Sequence, residues 1–342
     1  MEKIVKKHNI NNKVERYNSI DLLKCICCFL IICIHQPFPT VVGNYIVVLS
    51  RVAVPIFFMI SGFFWCKLSD NNSKVKRIKK LLLLVIYANL LYLVYMIHVA
   101  VFKNDYSLIT SIFNYKTVFK FLIFNESPFS GHLWYLSAIL YTTIIMYIAD
   151  KFNIRRKAYF IIPLLLIADL VLGKYSILIL HKEVFYIFIR NFLFVGIPYF
   201  LIGNIIYEEK EKIMKFNNLH IIILTIVFIF INCIEKYLLV TNNIDAVRDH
   251  YICTTILSIL ILCLFLKNNL KVKNNVFTTI GKKYSMMIYI IHPLIISLIS
   301  YFIFANITSK ISWILPLIVF IISILFSIIF YKIKNKLIKK FN

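Results

Sequence analysis

Glycine is scarce in this chain, with 7 in 342 residues, where an average soluble composition of about 7% would supply roughly three times as many. No two of them stand in G-x-G spacing, and neither a G-x-x-x-x-G-K-[ST] loop nor a G-x-S-x-G elbow is present. That removes the common soluble nucleotide sites and the strand-to-helix serine nucleophile. Acid is scarce too: 15 Asp and Glu face 39 Lys and Arg, a formal charge of +24. No polar stretch is long enough to fold as a soluble domain of its own. Zinc-finger, homeodomain and RNP-type patterns are missing, so the basic surplus does not indicate a nucleic-acid partner. The eight cysteines all fall in or at the ends of apolar runs, where cysteine behaves as a small hydrophobe. Cys25 and Cys28 have metal-like spacing, but zinc needs four ligands and no second pair is near, so no metal centre is expected.

What the chain has in abundance is apolar length. Hydrophobic residues make up 61%, against about 45–50% in soluble domains, and the mean hydropathy is +0.82. A helix needs about 20 apolar residues to cross a bilayer. Runs that approach this lie near 19–38, 44–66, 79–102, 132–149, 158–175, 188–207, 219–237, 250–266, 283–302 and 310–332. The expected fold is therefore an all-α integral membrane protein, a bundle of about ten transmembrane helices over 19–332. Basic tails at 1–18 and 333–342 flank it. The first run is not expected to be a cleaved signal, because Lys24 sits inside it and no small-residue site follows. The longest connection on the less basic side, about 103–131, is rich in Phe and Asn and is expected to fold over that mouth as a lid or re-entrant segment.

Alternate connections divide the positive charge unevenly. The N-terminal tail, the gaps near 67–80, 151–157, 210–215 and 267–283, and the C-terminal tail hold 28 Lys and Arg, and the other connections hold 8. The positive-inside rule then puts both termini in the cytoplasm, and most of the +24 is topology. Lys24, Arg51 and Arg190 are left over, within or at the ends of spans.

Ionisable groups inside a span are costly and by default mark a site. Lys24 and His35 are eleven residues apart, which returns the helix to within roughly 20° and separates them by about 16 Å along the axis. Asp21 precedes Lys24 by three residues and is placed to pair with it. Taken singly, Lys24 reads more simply as a snorkelling lysine and His35 as a satisfied interfacial histidine. The expected topology, however, brings Arg51, His132 with Trp134, and Arg190 to a similar depth at the outer ends of three further spans. His292 lies in the ninth span ahead of Pro293, which frees a backbone carbonyl. Asp169 is a lone acid in the fifth. His98 and His220 read as interface anchors, and His8, His181 and His250 receive no role.

Ile-Asp21-Leu-Leu-Lys24 with His35 beyond it resembles the Arg/Lys-x10-His signature of the membrane-bound acyltransferase-3 family. The segment from Arg51 to Ser61-Gly62 is similar to that family's second-span motif, and Arg77-Ile-Lys-Lys80 to its basic pair. Gly131-His132-Leu-Trp134-Tyr135 is similar to the fourth-span motif, and Tyr289-Ile-Ile-His292-Pro293 to the motif near the C-terminus. The matches run in order from 19 to about 295. Lysine replaces the commoner arginine at 24 and 80, which keeps charge but loses the bidentate fork. The hydrolase-like domain that some members carry after the bundle is not expected within these residues.

The resemblance implies transfer of an acyl group, most often acetyl, from cytoplasmic acyl-CoA to a hydroxyl of a surface or lipid-linked glycan, with acetyl-CoA as cosubstrate and membrane lipid as surroundings. On that basis Lys24, Arg77 and Lys80 are expected to hold the coenzyme's phosphates. His35 is the expected general base, with His132 or Arg51 on the oxyanion. Trp134, Tyr135 and Arg190 are expected against the acceptor sugar. A covalent acyl-His35 or acyl-Ser61 relay stays open. The alternative class is a transporter or flippase of a glycan or its precursor, although the internal symmetry of inverted repeats is not seen. A sensor or membrane partner without chemistry is a third reading.

Overall fold

The computed structural model describes residues 16–112, 114–246, 249–302 and 311–341. Among these there are helices and no strands. In chain order they are α1 (Asn18–His35), α2 (Thr40–Ser50), α3 (Ala53–Cys66), α4 (Asn71–Lys103), α5 (Ser107–Ile112), α6 (Tyr115–Phe124), α7 (Trp134–Lys151), α8 (Ile162–Leu172), α9 (Ser176–Leu180) and α10 (Ile197–Glu208). Then come α11 (Lys210–Lys215), α12 (Asn218–Thr241), α13 (Ile252–Lys267), α14 (Val276–Lys283), α15 (Ser285–Phe302) and α16 (Leu315–Phe341). The expected tail residues Lys3, Lys6, Lys7, His8 and Lys13, and also Arg248 and Lys310, lie outside the described residues.

Among the described residues six helical spans, one of them formed by α2 with α3, are long and apolar enough to cross a membrane, or up to seven if the pair α14 and α15, bent by 83°, counts as one span. The remaining expected spans, 158–175, 188–207 and 250–266, are built of shorter helices: α8 with short turns around it, α10 with the turn before it, and α13. The physical reason is local. Pro163 and Pro198 sit in the first turns of α8 and α10, where the missing N–H interrupts the α-helical ladder, and the turns before them, Lys157–Ile161 and Phe192–Gly196, are 3-10 and π turns. The expected polar tail after 332 does not separate either; α16 continues through it.

Burial sorts the long helices. In α7, 72% of the apolar window is buried, but in α12 only 11%. Along their apolar stretches α4 and α12 expose large hydrophobic residues, for example Leu83, Leu90, Val94, Ile223 and Phe230. An apolar exterior of this kind fits a lipid surrounding rather than water. At the centre, α3 and α10 pack so closely that a Cβ added at Gly62 would lie 2.0 Å from the Phe200 carbonyl, and one at Gly203 would lie 2.0 Å from the Met59 carbonyl. Small residues allow such contact between apolar helices. Gly281 does the same for α14 against Asp21 of α1.

The connections gather at two ends, as the charge division requires. At the end holding the start of α1, Arg16 donates to Asn274 and Ser19 bonds Asn269. Lys210 reaches the Tyr17 hydroxyl at 2.7 Å, and Tyr331 of α16 packs on Tyr284. At the other end stand His35, Arg51, the turn before α7 and the connection before α13. The 103–131 segment forms α5 and α6 and is pinned there, with Asn125 bonded to the Trp134 carbonyl and the Phe192 N–H, and Ser127 bonded to Asn89.

Candidate active site between four helices

His35 is the last residue of α1, so its ring leaves the helix at the mouth of the bundle. It is exposed and makes no hydrogen bond to any described residue. Its ring centroid is 5.1 Å from that of His292 on α15, which in turn lies 5.5 Å from His132. Three imidazoles from α1, α15 and the turn before α7 therefore meet. Among the described residues no set of three His, Cys, Asp or Glu is placed to hold a metal ion.

The two buried rings are held by carbonyls, which fixes their tautomers. Nε2 of His132 lies 3.2 Å from the Ile290 carbonyl, an acceptor only, so Nε2 carries the proton. Nδ1 then accepts from the Ser130 hydroxyl at 2.8 Å. Tyr289 donates back to the His132 carbonyl, and the Tyr92 ring packs on the imidazole at 4.9 Å. With its donor directed at Ile290, His132 braces the turn before α7 against α15.

A cavity of about 480 Å³ opens against Ile34 and is lined by Arg51, Lys174, Arg190, Asp169, Asp249 and His250 among others; His35 is not in its lining, but the charges of Arg51, Arg190 and Asp249 act on it. Arg51 forms an ion pair with Asp249. Burial alone would raise the Asp249 carboxyl, but Arg51 and then Arg190 hold it below the usual carboxylate range. Asp169 pairs with His250 at 2.8 Å, both buried. Lys174 bonds the Ala246 carbonyl at 2.8 Å and Asp245 at 3.2 Å. The Arg190 guanidinium lies over Tyr186 at 4.7 Å and Trp134 at 5.6 Å. It has no carboxylate partner among the described residues, and its Nε is buried without a bond.

Trp134 and Tyr135 are placed differently from the open stacking platform expected of them. Both are buried, and neither lines the cavity. Tyr135 packs on Phe58 at 4.8 Å and on Tyr289 at 5.3 Å, and Trp134 lies between Phe58 and Arg190. Their aromatic area is consumed by the core. Trp134 reaches the cavity only through the arginine it supports. Sequence reading left Asp249, Lys174, His250 and Asp169 outside the site. Nothing in the chain marks a pairing such as that of residues 169 and 250, although the isolated acid at 169 was a signal that a partner had to exist.

Lys24 lies at the opposite end, bonded to Asp21 at 3.3 Å as its spacing implied, and over the Phe64 ring at 5.5 Å. Arg77 reaches in from α4 and donates to the Ser61 carbonyl at 3.3 Å. Its charge and that of Lys24 act on one another. Ser61 therefore meets Arg77 through its backbone. Lys80 is not brought to them: it is exposed on α4. The buried lysine of that helix is Lys74, bonded to Asp150 at 2.8 Å. Asp150 also accepts from Trp65 and Arg155, each at 2.8 Å, and Arg155 continues to Glu208.

Comparison with known proteins gives this geometry a family. Two curated relatives, both named amino-acid racemase and both from Enterococcus faecalis, are 32% identical to the chain. One is matched over 227 residues, 61% of this chain and 30% of the relative. The other is matched over 143 residues, 38% of this chain and 19% of the relative. The chain thus spans less than a third of the length of these relatives. No solved structure matches. The profile of the acyltransferase-3 family, described as an acyltransferase domain, matches residues 17–332, which include α1 to α15 and most of α16 and both groups of charged residues. The chain belongs to the acyltransferase-3 family.

Proposed function

We propose that the protein is an O-acyltransferase of a bacterial cell membrane that moves an acyl group, most simply acetyl, from cytoplasmic acyl-CoA to a hydroxyl of a surface or lipid-linked glycan. The observation that carries this reading is a His35 with no hydrogen bond among the described residues, acted on by the charge of Arg51, which lines a polar cavity of about 480 Å³, about 16 Å along α1 from Lys24. Both termini lie in the cytoplasm in this reading, which puts Lys24 and Arg77 on the donor side. They meet the phosphates of the coenzyme as charges in a partly dry site. Lys80 adds only to the general field of that end. The pantetheine arm, of about three helical turns, runs along α1 and brings the thioester toward His35.

The acceptor sugar occupies the cavity between Arg51, Lys174, Arg190 and Asp249, whose donors and acceptors suit a hydroxyl-rich ligand. His35 takes the proton of the acceptor hydroxyl as its oxygen attacks the thioester carbonyl carbon. Arg51 has five N–H donors. One is held by Asp249, and the others face the developing oxyanion. When the tetrahedral intermediate collapses, the carbon–sulfur bond breaks, and the coenzyme thiolate takes the proton from the His35 imidazolium. The ester leaves with the glycan, and His35 returns neutral. His132 holds the α7–α15 wall, and Trp134 holds Arg190.

The reading is tested in the native host by deleting the gene and examining the purified surface glycan by NMR. Loss of O-acyl signals at unchanged chain length supports it. Unchanged acylation with loss of the whole polymer from the surface would favour a transporter instead.

A further inference from the structure

We infer that His292 is the positioning partner of His35, a neutral imidazole that accepts the His35 N–H and so sets which nitrogen of His35 faces the acceptor. The inference rests on the acyl-transfer reading for its chemistry and on the geometry of α15 for its substance.

An α-helix bonds each N–H to the carbonyl four residues back. Pro293 has no N–H, so the Tyr289 carbonyl loses its partner inside α15. Nδ1 of His292 fills that vacancy at 2.8 Å, with the Ile288 carbonyl further off at 3.3 Å. Carbonyls only accept, so Nδ1 carries the proton and Nε2 presents a lone pair. The His-Pro pair thus writes one tautomer into the helix.

That lone pair is unused. His292 is 0% exposed, and its Nε2 is a buried atom with no hydrogen-bond partner. Leaving such an acceptor unsatisfied is costly, a cost tolerated where a working state supplies the donor. The ionisable rings around it are His35 from α1 at 5.1 Å, His132 from the turn before α7 at 5.5 Å, and Tyr289 one turn back at 6.0 Å. His132 directs its N–H to Ile290, and Tyr289 directs its hydroxyl to the His132 carbonyl. His35 alone has a ring N–H without a described partner. The charged groups that act on His35 are Arg51, Arg190 and Asp249, and none of them is bonded to it. A swing of the His35 ring about its terminal torsion closes the contact, in keeping with catalytic hydrogen bonds that tighten only once substrate binds.

In the transfer step, the His35 nitrogen away from His292 takes the acceptor proton. The N–H toward His292 then belongs to an imidazolium, and the bond to Nε2 becomes charge-assisted. No proton passes to His292, whose other nitrogen stays bonded to Tyr289. His292 acts through His35 and touches no substrate.

The test compares wild type, His292→Phe, His292→Gln, His35→Ala and the double variant His35→Ala/His292→Phe in lipid nanodiscs, with acetyl-CoA as donor and the native glycan as acceptor. Phe fills the space without an acceptor atom, and Gln restores one near Nε2. We expect His292→Phe to lower kcat about 50-fold at nearly constant KM, Gln to recover about tenfold of that loss, and the double variant to match His35→Ala within about twofold. A second readout needs no turnover: the rate at which diethyl pyrocarbonate modifies His35, followed by mass spectrometry, should fall several-fold in His292→Phe and recover in His292→Gln. If kcat falls in proportion to folded protein, Gln fails to rescue, or the two losses multiply, the inference is overturned. If wild type transfers no acyl group at all, the acyltransferase reading fails, and the labelling rates alone decide for or against the His292–His35 contact.

Discussion

The two ends of the bundle use the same residue types to opposite effect. At the Lys24 end most of the buried charge is answered by acid: Lys24 by Asp21, Lys74 and Arg155 by Asp150, and Arg155 again by Glu208. At the His35 end Arg51 and Lys174 are also paired, but among the described residues His35 makes no hydrogen bond and Arg190 has no acid, and Arg190 lines open volume. A charge that is satisfied internally fixes helices. An ionisable group left unsatisfied next to a cavity is available to a ligand. The comparison separates structural from chemical polarity more sharply than composition does.

The strongest way to break that contrast is at His35. Its change to Ala should lower acyl transfer about a thousandfold, within the range of a lost general base, while thermal unfolding in detergent stays within about 1 °C of wild type. Equal activity in the variant would remove His35 from the chemistry.

The mirror-image experiment is Asp150→Ala, which strips Lys74, Arg155 and the Trp65 N–H of their shared acceptor. Breaking a buried pair in this way should cost about 3–5 kcal/mol of stability, seen as a lower Tm, with kcat per folded molecule unchanged. A normal Tm with lost turnover would place chemistry at the wrong end.

A smaller effect distinguishes the donor-side cations. Lys24→Ala should raise KM for acyl-CoA about tenfold, equivalent to one lost charge-assisted contact, with kcat within about threefold. Lys80→Ala should change neither by more than about twofold, because that side chain is exposed on α4. Equal effects of the two would restore the three-cation clamp that the spacing of 24, 77 and 80 suggests. Gly203→Val tests the frame beneath both ends: its Cβ has no room beside the Met59 carbonyl, so α3 and α10 must part, and expression should fall before either site is touched.

The helical class was legible because apolar run length is a one-dimensional property, and a bilayer reads it directly. The sorting of basic connections was legible for the same reason, and their gathering at two ends agrees with it. The number of long spans was less so. Pro163 and Pro198 interrupt the α-helical ladder, and an apolar count does not register where helix geometry changes. Of the site, Lys24, Arg51, His35 and Arg190 stood out as charges or rings in the wrong medium, and the resemblance to a family added order to them. His132, Trp134 and Tyr135 were recognised as special, but their burial could not be seen, since every aromatic in such a chain is as apolar as its neighbours.

The sequence by itself determined that this chain is a membrane helix bundle, which connections share an end, and, through Pro293, which carbonyl of α15 would lack a helical partner. All three depend on contacts or periods within a few residues. Only the tertiary structure decided that His292 meets His35, that Asp169 answers His250 across the fold, and that Lys80 stays outside while Lys74 turns in. Those pairings join residues on different helices, and their selection rests on how α1, α4, α7, α8 and α15 pack, which no local pattern encodes.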